Sequence, residues 1–218
     1  MFIGHFAVGF AAKRAAPRLS LAVLFVAAQF ADLLWPVLLA AGVESVRIAP
    51  GNTAFTPLDF ISYPWSHSLL LLVIWGLALG TLVQARTSVR HSLALITALV
   101  VSHWLLDWLT HRPDMPLYPG GAKIGLGLWN SVSATVMVEL TMLAAGLAVY
   151  ARATRPRDAA GRWGLVAFVV FLLIVYAANL LGPPPPSIRA IWMLGVVGGA
   201  ALTAWSWWFD RHRMATER

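Results

Sequence analysis

The chain contains no cysteine. That absence excludes disulfides, cysteine-ligated zinc, iron–sulfur clusters and thiol nucleophiles. Charge is scarce too. Asp, Glu, Lys and Arg make up 11% of the 218 residues, less than half the share of about 25% usual in a soluble domain. Acid is scarcer than base, with nine Asp and Glu against 16 Lys and Arg. The net charge of +7 is not gathered into a basic stripe interleaved with aromatics, so nucleic acid is not an expected partner. The apolar start, Met1 to Ala12, lacks the basic n-region of a signal peptide and is expected to stay in the mature protein.

Apolar residues fill the space that charge leaves, at 59% of the chain. They form six long runs, roughly 19–42, 66–85, 91–111, 131–151, 163–182 and 188–209. Each is long enough to cross about 30 Å of hydrocarbon as a helix. Inside a bilayer every backbone polar group needs an internal partner, which makes helices the default. The expected fold is therefore all-α: a polytopic membrane helical bundle of about six transmembrane helices, with a short N-terminal half-helix over Met1–Ala12. No internal repeat appears, and no soluble domain is appended. The chain reads as a single integral membrane domain, with residues 1–130 carrying the chemistry and 131–218 supplying three further spans.

The basic residues give an orientation. Lys13, Arg14, Arg18, Arg86, Arg90, Arg152, Arg155, Arg157, Arg162, Arg211, Arg213 and Arg218 fall at one side of the alternating spans, and Arg47, Arg112, Lys123 and Arg189 at the other. The positive-inside rule places the first set, and the C-terminus, in the cytoplasm. Loops 43–65 and 112–130 then face outward. Pro183 to Pro186 reads as a stiff connector. Trp205, Trp207 and Trp208 read as an interfacial belt.

Ionisable groups inside apolar spans are costly, and function is their default explanation. They are His5, Asp32, His67, His103, Asp107 and Glu139, with His111 at the outer end of its span. A rise of 1.5 Å per residue sets Asp32 about 20 Å above Arg18, His103 about 20 Å and Asp107 about 25 Å above Arg90, and His67 about 28 Å above Arg86. Glu139 lies about 20 Å above Arg152, and His5 about 12 Å above Lys13. Most of these heights fall in the outer half of the bilayer. His103 and Asp107, spaced i, i+4, share one helix face. Taken alone that pair also fits a buried histidine bonded to its neighbour. With Asp32 and His67 at matched height, two imidazoles and two carboxylates can hold one divalent cation, Zn²⁺ first, with Mn²⁺ or Fe²⁺ as alternatives. Glu139 is a further ligand, a general base or an intramembrane ion-pair partner. His91 and His212 read as solvated interfacial residues and Asp59 as a turn residue.

Gly4-His5-Phe6 with Gly9, Ala31-Asp32, Ser66-His67-Ser68 and His103-Trp104-Leu105-Leu106-Asp107 together resemble the YdjM-type family of bacterial inner-membrane proteins, described as membrane-bound metal-dependent hydrolases. Leu117-Tyr118-Pro119 and Gly125-Leu126-Gly127-Leu128-Trp129 are similar to that family's outer loop. The likeness covers roughly residues 1–130. Leu34 stands where the family usually has a second Asp, and Ser62-Tyr63 where it commonly has His-Arg. The order His, Asp, His, HxxxD is also similar to zinc-dependent phospholipase C and the S1/P1 nucleases. That resemblance implies that Asp32, His67, His103 and Asp107 bind one metal, with His5 serving a second through a shared Asp107.

The leading expectation is a metal-dependent hydrolase at the outer membrane face. The cation would activate a water, and Asp32 or Glu139 would take its proton. Phosphoester hydrolysis follows from the resemblance, and a lipid head group is a fitting substrate for a site near the interface. Arg112, Lys123 or Arg189 could attract its phosphate. Two other classes stay open: an intramembrane proton- or ion-coupled transporter, and a non-catalytic assembly factor with a structural metal. The sequence fixes neither substrate nor oligomeric state.

Overall fold

The computed structural model describes residues 1–216. Glu217 and Arg218, the last member of the basic set, lie outside the described residues. Among the described residues nine α-helices follow in chain order: α1 Ile3–Ala12, α2 Leu21–Ala28, α3 Phe30–Ala40, α4 Pro64–His67, α5 Leu69–Thr87, α6 Ser92–Thr110, α7 Val132–Ala153, α8 Ala159–Leu181 and α9 Ile188–Arg211. Helices α5 to α9 are each long and apolar enough to cross a membrane, and α2 with α3 forms a sixth candidate span. The chain is thus an all-α polytopic bundle. Its strands are three short antiparallel hairpins at the helix ends: β1 Ser45–Ile48 with β2 Leu58–Ser62, β3 Met115–Pro116 with β4 Lys123–Ile124, and β5 Thr154–Pro156 with β6 Arg213–Ala215. The first two hairpins mark one end of the bundle, here called the loop end. The third marks the basic end.

The helix starts follow from side-chain caps. Ser20, Ser68, Ser131, Asp158 and Ser187 each accept a hydrogen bond from the backbone N–H three residues on, satisfying a donor that the first turn leaves open.

The first long run departs from the expected continuous span 19–42. It breaks at Gln29, where φ is −101° and ψ is 11°, and α2 and α3 meet at 61°. Pro36 weakens α3 further: it has no N–H for the Asp32 carbonyl one turn earlier. The second run is also interrupted. The single turn α4 ends at His67, Ser68 is extended, and α5 restarts with Ser68 as its cap.

Helix α1 is the half-helix expected from the apolar N-terminal segment. It is about 15 Å long, and eight of its ten residues are buried. It packs against α2, α6 and α7. The approach to α7 depends on Gly146, because a Cβ there would overlap the Ala7 carbonyl. Phe6, Phe10, Phe25 and Phe168 pack edge-on and stacked around α1, with centroid separations of 4.9 to 6.3 Å. Trp205 joins this cluster at 5.5 Å from Phe168, which separates it from the expected interfacial belt. Trp207 and Trp208 are exposed.

Candidate metal centre

Three stretches of backbone meet at one point. The continuous helix α6 supplies His103 and Asp107 from adjacent turns of one face. The broken run supplies Asp32 from the first turn of α3. The interruption between α4 and α5 supplies His67. The spacing between the donor atoms is compact: His103 Nε2 lies 3.1 Å from Asp107 Oδ2 and 3.7 Å from Asp32 Oδ1. His67 Nε2 lies 3.6 Å from Asp32 Oδ1 and 3.8 Å from Asp107 Oδ2. The Asp32, His67 and His103 donor atoms all fall within 4.8 Å of one another.

A tetrahedral cation with ligands at about 2.0–2.2 Å requires donor atoms roughly 3.3–3.6 Å apart. The four histidine–carboxylate edges, 3.1 to 3.8 Å, bracket that value. Most of them are too long for good hydrogen bonds, so the side chains are gathered without satisfying one another. His103 Nε2 is buried and has no hydrogen-bond partner. Its other nitrogen, Nδ1, lies 2.9 Å from the Ala28 carbonyl. A carbonyl only accepts, so Nδ1 carries a proton and Nε2 is the nitrogen turned towards the carboxylates. The donor set fits a divalent cation: two nitrogens and two oxygens, with no sulfur, and two carboxylates to offset the charge.

His5 stands beside this group. Its ring stacks on His103 with centroids 3.7 Å apart and planes within 5°. Its Nε2 is 3.1 Å from Asp107 Oδ1, and its Nδ1 is unpartnered. His5, His103 and Asp107 make a second trio of donors within 4.8 Å. Asp107 therefore faces two ways, Oδ1 towards His5 and Oδ2 towards His67 and His103. The Met1 amino group also contacts Asp107 Oδ1.

Glu139 belongs to neither trio. From α7 its Oε2 accepts from the backbone N–H groups of Phe2 and Gly4, at 2.9 and 3.1 Å. It caps α1, which has no capping side chain of its own. Its Oε1 is buried and unpartnered. Of the five metal ligands and two catalytic residues expected from sequence, Glu139 alone stands outside the gathered donors.

The remaining polar residues are engaged elsewhere. His111 lies beyond α6, with Nδ1 2.9 Å from Asp114 Oδ1. Burial holds its imidazole below the ordinary range, against the pull of Asp114. Asp59 is not a turn residue. It lies in β2, buried, and pairs with Arg47 and Arg112. Arg112 also reaches Asn52 at 2.6 Å and Asp114 at 3.1 Å. Its charge is thereby met, which removes it as a free phosphate anchor. Lys123 donates to the Ile61 carbonyl at 3.1 Å and remains exposed. Arg189 is exposed at the start of α9, while His91 is exposed beside α6 with φ at 64°. His212 is not simply solvated, since its Nδ1 meets Asp158 Oδ2 at 2.6 Å.

Two groups escaped the sequence reading. Glu44 is buried after α3 and bonds to Trp65 and Ser66. At the basic end, Lys13 and Asp210 form a buried ion pair at 2.7 Å. Both depend on partners distant in sequence. The one local signal was that a carboxylate in so acid-poor a chain needs a reason.

No curated protein and no solved structure matches this chain. Residues 1–182 match a known family along their whole length, spanning α1 through α8 and every residue of the centre. The chain belongs to the YdjM inner membrane protein family.

Proposed function

We propose that this chain is a membrane-embedded metal-dependent hydrolase in which Asp32, His67, His103 and Asp107 hold one divalent cation. The observation that carries this reading is the ring of four donor atoms in which each histidine nitrogen lies 3.1 to 3.8 Å from both carboxylates, one of the four being a buried imidazole nitrogen without a hydrogen-bond partner. In a bilayer such an orphan has no water to fall back on. Nitrogen and oxygen donors in equal number suit zinc best, with manganese or iron as alternatives. A cation held there supplies an activated water and polarises a scissile oxygen. His5 and the second oxygen of Asp107 offer part of a second position.

The chain's own residues divide the remaining work. His67, His103 and Asp107 are almost wholly buried, whereas the Asp32 side chain is 39% exposed. Asp32 is thus the edge at which substrate arrives and the carboxylate placed to take the proton of an attacking water. Glu139 is the second candidate base, through its free Oε1. The substrate class is a phosphoester or lipid head-group bond at the outer face of the bacterial inner membrane. The C-terminus faces the cytoplasm, because the basic end carries most of the Lys and Arg.

Metal analysis of the detergent-purified protein tests this. About one transition-metal ion or more per chain is expected, absent in His103→Ala. A wild-type protein that binds none, even after reconstitution, overturns the proposal. With metal bound, a panel of phosphoesters and lipids separates an enzyme from a scaffold. A second reading, an ion-coupled transporter, draws on the helix breaks at Gln29 and Ser68, since transporters bind ions at discontinuous helices. Helices α7 to α9 have no matching breaks, which sets it behind. Proton-coupled flux in proteoliposomes without hydrolysis would favour it.

A further inference from the structure

We infer that Glu44, acting through Ser66, fixes the tautomer in which His67 presents a bare Nε2 to the metal centre. This makes Glu44 a positioning residue. The inference rests on the metal reading for its purpose, but not for its geometry.

The two imidazoles of the centre are oriented by different devices. His103 Nδ1 faces the Ala28 carbonyl. That carbonyl can only accept, so it dictates the tautomer unaided. His67 Nδ1 faces the Ser66 hydroxyl at 2.7 Å. A hydroxyl can donate or accept, so by itself it dictates nothing. Glu44 removes the choice. Its Oε1 accepts from Trp65 N–H at 2.8 Å and Ser66 N–H at 2.9 Å. Its Oε2 accepts the Ser66 hydroxyl proton at 2.6 Å. With that proton committed, Ser66 Oγ can only accept from His67, and the imidazole proton is held on Nδ1. The Nε2 lone pair is then free, and Nε2 is the atom 3.6 Å from Asp32 and 3.8 Å from Asp107. Partners of this outer kind orient ligating histidines generally.

The competing role for Glu44 is a plain cap on the turn Pro64–His67, holding its N–H groups. An isosteric change separates the two. In Glu44→Gln the two backbone N–H groups keep the amide oxygen where Oε1 was, so the amide nitrogen takes the place of Oε2. The cap survives. Ser66 now receives a proton instead of giving one, and its own hydroxyl turns to donate to His67 Nδ1. The imidazole proton moves to Nε2 and blocks the lone pair.

The expected result is a roughly 10–100-fold loss of Zn²⁺ affinity in Glu44→Gln, the range for outer-sphere partners. The same loss should nearly vanish when the change is made in a Ser66→Ala background, where no hydroxyl remains to turn. Ser66→Ala keeps both backbone bonds to Glu44 and serves as the folded reference. Nitrogen-15 spectra of histidine-labelled, metal-free protein should show His67 switching from the Nδ1–H to the Nε2–H form in Glu44→Gln. An unchanged His67 tautomer, or an equal loss of affinity in both backgrounds, overturns the inference. If the wild type binds no Zn²⁺, the metal reading fails, and the spectra of the metal-free protein still decide the tautomer.

Discussion

Helix α1 connects two buried clusters of ionisable groups that are built on opposite principles. Beyond its C-terminal end, Lys13 Nζ donates to Asp210 Oδ2 and to the Leu19 carbonyl, both at 2.7 Å. Asp210 also accepts from Leu21 N–H at 2.9 Å and from the Tyr150 hydroxyl at 2.7 Å. Both charges there are met at hydrogen-bond distance. Near its other end, His5 adjoins Asp32, His67, His103 and Asp107, where most donor separations exceed hydrogen-bond length and two imidazole nitrogens are unpartnered. Apart from the half-exposed Asp32, both clusters are buried, so burial of charge does not by itself mark function. The satisfied cluster ties α1, α2, α7 and α9 together, and the unsatisfied one gathers the donors that the proposed cation would bridge.

The sharpest way to break this contrast is to remove one group from each cluster and measure the same two quantities. His103→Ala should take Zn²⁺ binding beyond the roughly 10–100-fold loss of an outer-sphere change, to no measurable binding, while the bundle stays folded. Asp210→Asn should leave metal stoichiometry at the wild-type value. Elemental analysis and equilibrium dialysis read both. Equal metal loss in the two variants would erase the distinction.

The second effect runs the other way. Lys13→Met leaves Asp210 as a buried carboxylate without its counter-charge, a change that costs about 3–5 kcal/mol when one partner of a buried pair is removed. Denaturant titration of the purified protein in detergent should show that loss. The retained protein should still bind Zn²⁺ with full stoichiometry. A loss of affinity without a loss of stability would mean that Lys13 acts on the centre through α1 and His5.

The two clusters also differ in how far the sequence discloses them. His103 and Asp107 are legible because an unbroken helix turns spacing into geometry: i and i+4 share a face whatever surrounds them. The serine and aspartate caps are legible for the same local reason. Asp32 and His67 are legible as residues but not as positions. No glycine or proline marks the break at Gln29, and Pro36 lies seven residues further on. Across that break Asp32 still comes within 3.7 Å of His103 on α6. Glu44, Lys13 and Asp210 were not legible at all, since each draws its meaning from contacts 21 to 197 residues away. Arg112 misled for a related reason. A lone cation in a loop looks free until Asp59 and Asp114 are placed beside it.

A smaller effect sharpens the comparison through ligand linkage. A ligand that binds only the folded state stabilises it by RT ln(1 + [L]/Kd), about 2.7 kcal/mol at a hundred times Kd. Added Zn²⁺ should raise the unfolding midpoint of the wild type and, by a similar increment, that of Asp210→Asn. His103→Ala should gain nothing. Chelation should return the first two to their starting values. If His103→Ala is stabilised as strongly as the wild type, the ion binds somewhere other than this centre.

The smallest effect concerns an exposed carboxylate that resembles neither cluster. Asp158 caps α8, its Oδ1 accepting from Gly161 N–H at 2.9 Å, and its Oδ2 meets His212 Nδ1 at 2.6 Å. The Gly161 N–H first, and the His212 contact second, hold its carboxyl below the ordinary range. A depressed folded-state pKa contributes stability that is complete above the unfolded value, about 3.9 for Asp, and disappears as pH falls through the folded value. The midpoint gap between wild type and Asp158→Ala should therefore close as pH falls below about 4. Salt should narrow it, since exposed pairs are screened. Metal stoichiometry at neutral pH should not differ between the two proteins. A gap that persists unchanged in acid would assign the cap to hydrogen bonding by the neutral carboxyl rather than to its charge, leaving Asp210, paired with Lys13, as the carboxylate at the basic end whose charge matters to the fold among the described residues.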